Sequence, residues 1–367
     1  MFRFRRSYFS YLLKKLRRDP LFLILGPYQY LMVFLGYKWQ RSLIGPLNAT
    51  LSLTYACNLK CNMCDLPDRF KIYEKDPKRR KLQTSDFLVL IDQFKNSRAA
   101  SLAFTGGEPL LHPDFFQMAG FAKSKGLVTQ VTTNGWLVKK HLDHFFSAGL
   151  DSVSISLDGA TAQTHDLIRQ ASGSFDRAVE AVQLLVAEKK RRNSAMNVSI
   201  SATFSDTNHQ EAVDLVRLAE SLGVNYIGFM PVNFIAPSIV DKRPELNRQK
   251  LTDIRSSIQN LINLKKSKDI IETSTDYLRM FELCLTGKDL PIPCMASFTT
   301  FMVDAYGDYF PCHSFYQMEK PWGNYFAADF LTYWKSTAIR SERQKIKSCR
   351  ACFWNCQVET NLLYYKA

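Results

Sequence analysis

The chain has 367 residues, enough for one large domain and a smaller one, and its hydrophobic content of 46% is that of a globular protein with a sizeable core. Its nine cysteines are an odd number and fall into two clusters with single residues between them, which argues against a disulfide ladder and favours reduced, metal-binding thiols. Much of the net charge of +14 lies near the N-terminus, where residues 1–41 carry nine Arg or Lys against one acid.

Residues 1–46 are predicted to form a basic and apolar N-terminal segment. Aromatic and aliphatic residues alternate with the first charges, as in a basic amphipathic helix. The apolar stretch LFLILGPYQYLMVFLGYKW follows, but it is shorter than a ~20-residue membrane span and Gly26-Pro27 interrupts it. It is typical of an interfacial segment or of an apolar helix that packs on the rest of the protein.

Two interpretations of this N-terminal segment stay open. Residues 1–41 contact a membrane surface, or they form a solvated charged helix followed by core. Nucleic acid binding is less favoured, because the apolar stretch has no role in it. Since no small-residue cleavage site follows the apolar run, we expect a cytoplasmic protein, with or without peripheral contact at the inner face of the membrane.

Residues 47–235 alternate short β-type runs with amphipathic helical patterns. Six such units predict an α/β fold, a partial (β/α)6 barrel of the TIM type with parallel strands. Residues 236–290 are predicted to be a helical bridge, and residues 291–367 a small cysteine-rich C-terminal domain. In such barrels the loops after the C-terminal strand ends carry the chemistry. The predicted strands are ATLSLT, SLAFT, VTQVTT, SVSISL, MNVSISATF and YIGFM.

The first functional motif is a group of three cysteines, Cys57, Cys61 and Cys64, which follows the first predicted strand. Three thiolates can hold a metal centre, but they cannot complete the four-ligand site of a structural zinc ion. A 4Fe–4S cluster held by three cysteines keeps one iron open for a substrate or cofactor. The motif therefore indicates chemistry rather than structural support.

Further motifs follow in a fixed order. The strand SLAFT runs into Gly106-Gly107-Glu108-Pro109, and VTTNG (131–135) and VSISLDG (153–159) come next. Together with the CxxxCxxC motif, these segments resemble the radical S-adenosylmethionine (SAM) enzymes over about residues 47–235. The sequence departs from that family at Met63, where an aromatic residue is usual.

The resemblance implies the cofactor chemistry. SAM would bind the open iron through the amino and carboxylate groups of its methionyl part. One-electron reduction would then cleave SAM and give a 5′-deoxyadenosyl radical that abstracts hydrogen from an unactivated carbon. In such enzymes the cofactor supplies the reaction, and the protein binds, orients and excludes water.

A pocket for SAM is predicted from the same motifs. The glycines of the GGEP turn would let the backbone approach the ligand, because they lack side chains, and the glutamate would accept a hydrogen bond from the methionyl ammonium. By the resemblance, a serine and an arginine bind the carboxylate, whose two oxygens match a guanidinium fork; a surface salt bridge is the alternative for the arginine. The asparagine of TNG faces the pocket or is a turn residue. The predicted SAM-binding residues are Gly106, Gly107, Glu108, Asn134, Ser156 and Arg169.

The C-terminal cysteines form a second cluster in a region with little regular periodicity, so a metal would contribute much of its folding free energy. The arrangement resembles the SPASM or shorter twitch extensions of radical SAM enzymes. Because the full SPASM pattern has seven cysteines and two clusters, the resemblance implies one auxiliary 4Fe–4S cluster here, with zinc as the alternative. The expected ligands are Cys294, Cys312, Cys349 and Cys352, with Cys356 as a spare or a replacement for one of them.

The predicted function is SAM-dependent hydrogen abstraction from an unknown substrate. The basic, apolar N-terminal segment makes a lipid- or glycan-linked substrate the first candidate, ahead of other small molecules. A peptide maturase is the alternative, and a non-catalytic redox or interaction protein is the rival from another class. Whether the enzyme is an oxidoreductase or a transferase stays open. The expected protein partner is a one-electron reductant such as flavodoxin or ferredoxin, and no nucleic acid is expected.

Overall fold

The structure is a computed structural model that describes residues 22–242 and 244–365. The amphipathic helix predicted at the very N-terminus lies outside these residues. Within them the chain forms nine strands, and the six predicted strands are all present. The strands are β1 Asn48–Ser52, β2 Ser101–Thr105, β3 Val128–Thr133, β4 Ser152–Ser156, β5 Asn197–Phe204, β6 Tyr226–Pro231, β7 Thr300–Val303, β8 Asp308–Phe310 and β9 Gly323–Asn324.

Helices alternate with the first six strands, as the sequence pattern predicts, and three short 3₁₀ turns lie at residues 109–111, 209–211 and 240–242. The described α-helices are α1 Phe22–Lys38, α2 Leu66–Tyr73, α3 Thr84–Asn96, α4 Phe115–Ser124, α5 Val138–Ser147, α6 Ala162–Arg169, α7 Ser174–Arg191, α8 Ala212–Ser221, α9 Arg248–Ser267, α10 Thr275–Leu285, α11 His313–Gln317, α12 Phe330–Lys335, α13 Thr337–Ile346 and α14 Asn355–Tyr365.

All nine strands belong to one sheet, in the order β6-β5-β4-β3-β2-β1-β7-β8-β9. Strands β1 to β6 pair in parallel with their sequence neighbours, which confirms the predicted α/β partial barrel. Strand β7 also pairs in parallel with β1, and β8 and β9 extend the sheet in antiparallel fashion. The cysteine-rich region therefore adds strands to the barrel sheet.

The two faces of the sheet differ in character because successive side chains point to opposite sides. The outer face carries fully buried apolar residues such as Ile155 and Ile227, which pack in the main core. The inner face carries small or polar residues, and the register sets Ser156, Ser201 and Gly228 side by side. Several inner residues are half-buried or exposed, so this face is open to solvent.

One further segment extends the barrel beside β6. Residues 270–272 run beside β6, because Ile227 exchanges backbone hydrogen bonds with Ile270 and Glu272. The helices α9 and α10 flank that segment and occupy most of the predicted helical bridge. The domain boundaries themselves stay a prediction.

Helix α1 runs through Pro27 and packs at the N-terminal end of the strands. Tyr30 stacks on Tyr364 with ring centroids 4.5 Å apart, and Tyr37 meets the edge of Phe298 at 5.6 Å. Phe298 lies just before β7, which fixes the end of the sheet that α1 covers. In the part of the chain that the structure describes, no helix combines the length and apolar content needed to cross a bilayer.

Candidate active site at the C-terminal strand ends

The three cysteines of the first motif lie in the loop between β1 and α2, at the C-terminal end of the sheet. Hydrogen bonds within the loop shape it: the Leu59 N–H points at the Cys57 Sγ (3.4 Å), and the Cys64 N–H donates to the Cys61 carbonyl (3.1 Å). The three thiols interact electrostatically, so the fold brings them to one place.

Burial opposes ionisation of these thiols. It raises the pKa of Cys57 to about 11 and that of Cys64 to about 12, and repulsion from Cys61 adds to both. Metal ligation requires thiolates. A positively charged iron centre at this place would therefore supply the stabilisation that the protein alone does not give to the ionised sulfurs.

The GGEP turn after β2 lies directly against the cysteine loop. Gly106 has φ +142°, and a Cβ there would lie 2.4 Å from the Thr54 carbonyl oxygen. At Gly107 a Cβ would lie 2.2 Å from the Ala56 carbonyl oxygen. Both glycines are needed for this close backbone approach. In the structure the two glycines let the GGEP turn pack against the cysteine loop. Their contact with SAM stays a prediction.

The carboxylate of Glu108 is buried and joins the GGEP turn to the end of β3. It accepts hydrogen bonds from the Leu110 N–H (3.1 Å), the Thr133 hydroxyl (2.8 Å) and the Asn134 N–H (2.9 Å). Burial raises its pKa to about 7, although these hydrogen bonds act in the opposite direction. A carboxylate has about four acceptor sites, so one remains for a ligand ammonium.

Asn134 also contacts the cysteine loop, because its side-chain amide donates to the Asn58 side-chain oxygen (2.8 Å). Its own side-chain oxygen accepts from the Trp136 N–H (3.0 Å). The structure leaves both interpretations of Asn134 open, because the residue forms the TNG turn and also borders the cysteine loop.

Arg169, at the end of α6, lies beside the cysteines and is largely but not fully buried. Its guanidinium forms an ion pair with Asp158 (2.7 Å) and donates to the Cys61 Sγ (3.8 Å). Burial acts to lower the pKa of Arg169, but attraction to Asp158 and Cys61 outweighs it and the pKa is raised. The Asn62 N–H donates to the Ile168 carbonyl (3.1 Å), which ties α6 to the loop.

The predicted carboxylate-binding residues occupy different positions in this arrangement. Arg169 Nε is buried and has no hydrogen-bond partner among the described residues, so part of its fork is free for a ligand. Ser156, at the end of β4, is half-buried on the inner face of the sheet. These features, together with three thiols, fit a bound cluster and the anionic end of SAM.

The five C-terminal cysteines also come together. The thiol of Cys294 hydrogen-bonds the Cys349 sulfur, which raises the pKa of Cys294 and lowers that of Cys349. Burial raises the pKa of Cys312 to about 12, and Cys352 interacts with the sulfurs of both Cys312 and Cys356. Cys356 alone among the five is exposed to solvent.

Unpaired polar atoms lie beside these cysteines. Ser314 Oγ and Trp354 Nε1 are buried and have no hydrogen-bond partner in the described part of the chain. Each is within two residues of a cysteine, and buried donors of this kind normally find an acceptor. The inorganic sulfides of an auxiliary cluster would accept from them, so the residues present fit such a group.

Within residues 22–242 and 244–365, no three His, Cys, Asp or Glu side chains are close enough to hold a single metal ion. A 4Fe–4S cluster is bound differently, since each cysteine ligates its own iron.

One connection between the two cysteine groups was not predicted from the sequence. Arg69 is buried and forms a bidentate ion pair with Asp65 (2.7 and 3.1 Å), the residue that follows Cys64. The same guanidinium donates to the carbonyls of Tyr316 and Gln317 on α11, at 2.8 Å each. The only local signal is the i, i+4 spacing of an acid and an arginine, which surface pairs share.

Comparison with known proteins agrees with this geometry. The family model of the Radical SAM superfamily matches residues 51–219, and the SPASM model, an iron-sulfur cluster-binding domain, matches residues 294–357. The mycofactocin maturase MftC of Mycobacterium tuberculosis is 27% identical over 327 residues, which are 86% of this chain and 77% of that protein. The AdoMet-dependent heme synthase of Methanosarcina barkeri is 31% identical over 172 residues, or 47% and 46% of the two chains.

Solved structures share the fold. Streptococcus suis SuiB bound to S-adenosylmethionine superimposes with a TM-score of 0.65 at 17% identity, over 92% of this chain and 79% of that chain. SuiB bound to the precursor peptide SuiA gives a TM-score of 0.62 at 16% identity, over 83% and 68% of the two chains. At these identities the likeness concerns the fold alone.

Proposed function

Because the chain belongs to the radical SAM superfamily and carries a C-terminal SPASM domain, we propose that Cys57, Cys61 and Cys64 hold its SAM-binding 4Fe–4S cluster. The enzyme would then abstract hydrogen from a substrate that lies on the open inner face of the sheet. The observation that carries this proposal is the convergence of three separate segments on the cysteine loop: the GGEP turn, the TNG turn and α6. The SLDG loop joins them through the ion pair of Asp158 with Arg169 on α6.

Each residue has a proposed task toward SAM. Glu108 keeps one acceptor site for the methionyl ammonium, and Arg169 and Ser156 bind the carboxylate. Asp158 holds the guanidinium of Arg169 in place, since it is fully buried and paired with it at 2.7 Å. When bound, cluster and SAM supply a 5′-deoxyadenosyl radical after one-electron reduction, and the chain's residues only bind, orient and exclude water.

Cys294, Cys312, Cys349 and Cys352 are the proposed ligands of the auxiliary 4Fe–4S cluster. Three of them are buried, and the exposed Cys356 is the spare. Ser314 and Trp354 would donate hydrogen bonds to the cluster, a contact that tunes the potential of iron–sulfur centres. A one-electron reductant of the flavodoxin or ferredoxin type is the proposed protein partner.

The test is anaerobic reconstitution followed by dithionite and SAM. The wild-type protein should form 5′-deoxyadenosine and bind about eight irons, four for each cluster. Cys61→Ala should form none of this product, whereas Cys352→Ala should still form it and retain about four irons. A fully loaded protein that leaves SAM intact would favour the redox-sensor alternative, and four irons plus zinc would favour a zinc-bound C-terminal site.

A peptide is the substrate that we place first. SuiB, whose fold is shared, is known in complex with a precursor peptide, and the M. tuberculosis relative is named a maturase. Small, half-buried side chains along the inner face, such as Ser154, Ser156 and Ser201, keep this part of the face accessible to an extended chain. Deuterated peptide extracts should transfer label to 5′-deoxyadenosine.

A lipid- or glycan-linked substrate is the second candidate. It rests on the basic and apolar composition of residues 1–46, since Leu31 and Trp39 themselves lie at the opposite end of the strands from the cysteine loop. Label transfer from a lipid extract, with none from peptides, would support it over the first candidate.

A further inference from the structure

Exposed apolar side chains are concentrated at one place on the described surface. Ten large hydrophobic residues are exposed in the described part of the chain, and three of them come from thirteen consecutive positions: Leu31 (48% exposed), Trp39 (63%) and Leu43 (38%). The others lie singly along the rest of the sequence. A cluster of this kind, unlike scattered apolar residues, marks an interaction surface.

The helix geometry prevents this face from turning inward. Leu31, Leu35 and Trp39 are spaced at i, i+4 and i+8, so they share one side of α1. The Trp39 N–H donates to the Leu35 carbonyl (2.9 Å), which continues the helical turn past Lys38. The other side of α1 is anchored in the protein through buried Val33 and the aromatic contacts of Tyr30 and Tyr37.

All the charged side chains of the segment that carries this face are positive. Lys38 and Arg41 flank Trp39, and no Asp or Glu occurs between residues 20 and 64. Arg98, from the end of α3, donates to the Tyr28 hydroxyl at 2.7 Å and adds a further cation beside α1. An apolar strip with a tryptophan and a basic rim is complementary to an anionic lipid surface.

We propose that Leu31, Leu35 and Trp39, the lipid-facing strip, seat the enzyme on an anionic bilayer surface. Helix α1 lies in the plane of the interface, with Lys38 and Arg41 at the phosphate level. This proposal is independent of the substrate, because it concerns a surface away from the cysteine loop.

The position of the strip has a consequence for catalysis. Helix α1 covers the N-terminal ends of the strands, whereas the cysteine loop follows the C-terminal end of β1. The two ends of this five-residue strand are about 17 Å apart. The active-site mouth thus points away from the bilayer, and substrates reach it from the aqueous side.

The test is sedimentation of the holoenzyme with vesicles. Vesicles of phosphatidylglycerol and phosphatidylcholine should pellet the wild-type protein, and phosphatidylcholine alone should pellet much less. Leu31→Gln with Trp39→Gln should lower the partition coefficient at least about tenfold. Lys38→Glu with Arg41→Glu should lower it about fivefold per residue or more.

Matched controls carry the same changes elsewhere. Ile72→Gln with Val89→Gln alters two exposed apolar residues, and Lys75→Glu with Lys78→Glu reverses two exposed charges. Both controls should pellet like the wild type. Loss of pelleting in the controls, or unchanged pelleting of the strip variants, would overturn the proposal and leave residues 1–18 as a simple electrostatic tether. Absence of pelleting with either vesicle would overturn it in favour of an acidic protein partner.

Fluorescence gives a second measurement that needs no polar substitution in the strip. The wild-type spectrum minus that of Trp39→Phe isolates one of the five tryptophans. Anionic vesicles should shift this difference spectrum to shorter wavelength. An unshifted spectrum under conditions where the protein pellets would place Trp39 outside the lipid and contradict the proposal.

Discussion

Gly107 illustrates how a single residue without a side chain holds the candidate site together. Because a Cβ at this position would lie 2.2 Å from the Ala56 carbonyl oxygen, Gly107→Ala must push the cysteine loop away from the GGEP turn. We expect a loss of about 1–3 kcal/mol in the free energy of unfolding and a lower iron content. Urea unfolding and an iron assay measure the two effects.

The control for that substitution is Gly120→Ala on α4, where the nearest atom would be 3.9 Å from the new Cβ. It should be neutral or stabilise the helix by about 0.5–1 kcal/mol. Equal effects of the two substitutions would show that the close contact at Gly107 does not determine the stability or the iron content.

His165 makes stability depend on pH. Its Nδ1 accepts a hydrogen bond from the Asp158 N–H (3.0 Å), and burial, together with Arg169, lowers its pKa from 6.5 to about 4. Between pH 6.5 and 4 the unfolded chain binds a proton there and the folded protein does not. Stability should therefore fall as pH falls through this window, by up to about 1.4 kcal/mol per pH unit from this group.

The measurement is the free energy of unfolding of wild type and His165→Asn at several pH values. The asparagine side-chain oxygen takes the place of Nδ1 and can still accept from the Asp158 N–H, so the variant should fold and show a shallower slope below pH 6.5. Parallel slopes would mean that His165 does not titrate in the way its burial requires.

At the scale of elements, the ion pair between Arg69 and Asp65 joins α2 to α11. Arg69→Met leaves the buried Asp65 carboxylate without its cation and removes two hydrogen bonds to α11 carbonyls. The expected loss is about 3–5 kcal/mol in the free energy of unfolding.

Lys71→Met on the same helix is the matched control, because it removes an exposed pair with Asp68 (2.8 Å). It should cost less than about 1 kcal/mol. If both variants lost the same small amount in denaturant unfolding, Arg69 would not be the connection between the two elements that the geometry indicates.

The sequence predicted the elements unevenly, for physical reasons. The six barrel strands were predictable because turn residues bound their β-rich runs and helical patterns alternate with them. Strand β7 was not, since all four residues of TFMV are buried and show no alternation, and β8 has only three residues. The motif residues of the site followed from spacing, whereas the contact of Arg69 with α11 depends on residues about 250 positions apart.

For the whole molecule, the parallel pairing of β7 with β1 makes the cysteine-rich region part of the barrel. Four residue pairs, from Asn48↔Thr300 to Leu51↔Val303, continue the sheet across what the sequence pattern divides into separate domains. We therefore expect the barrel strands and the cysteine-rich region to unfold together, in one transition in calorimetry.

Iron chelation gives a further test of the single unfolding transition. Removal of the clusters should lower the Tm, because metal binding contributes to the free energy of folding, but it should not split the transition. A chain that ends at residue 290 should aggregate, since the edge of β1 and the contacts of α1 with Phe298 and Tyr364 would be exposed. Two resolved transitions, or a soluble and folded shortened chain, would instead mean that the barrel is stable without the strands that the cysteine-rich region adds to it.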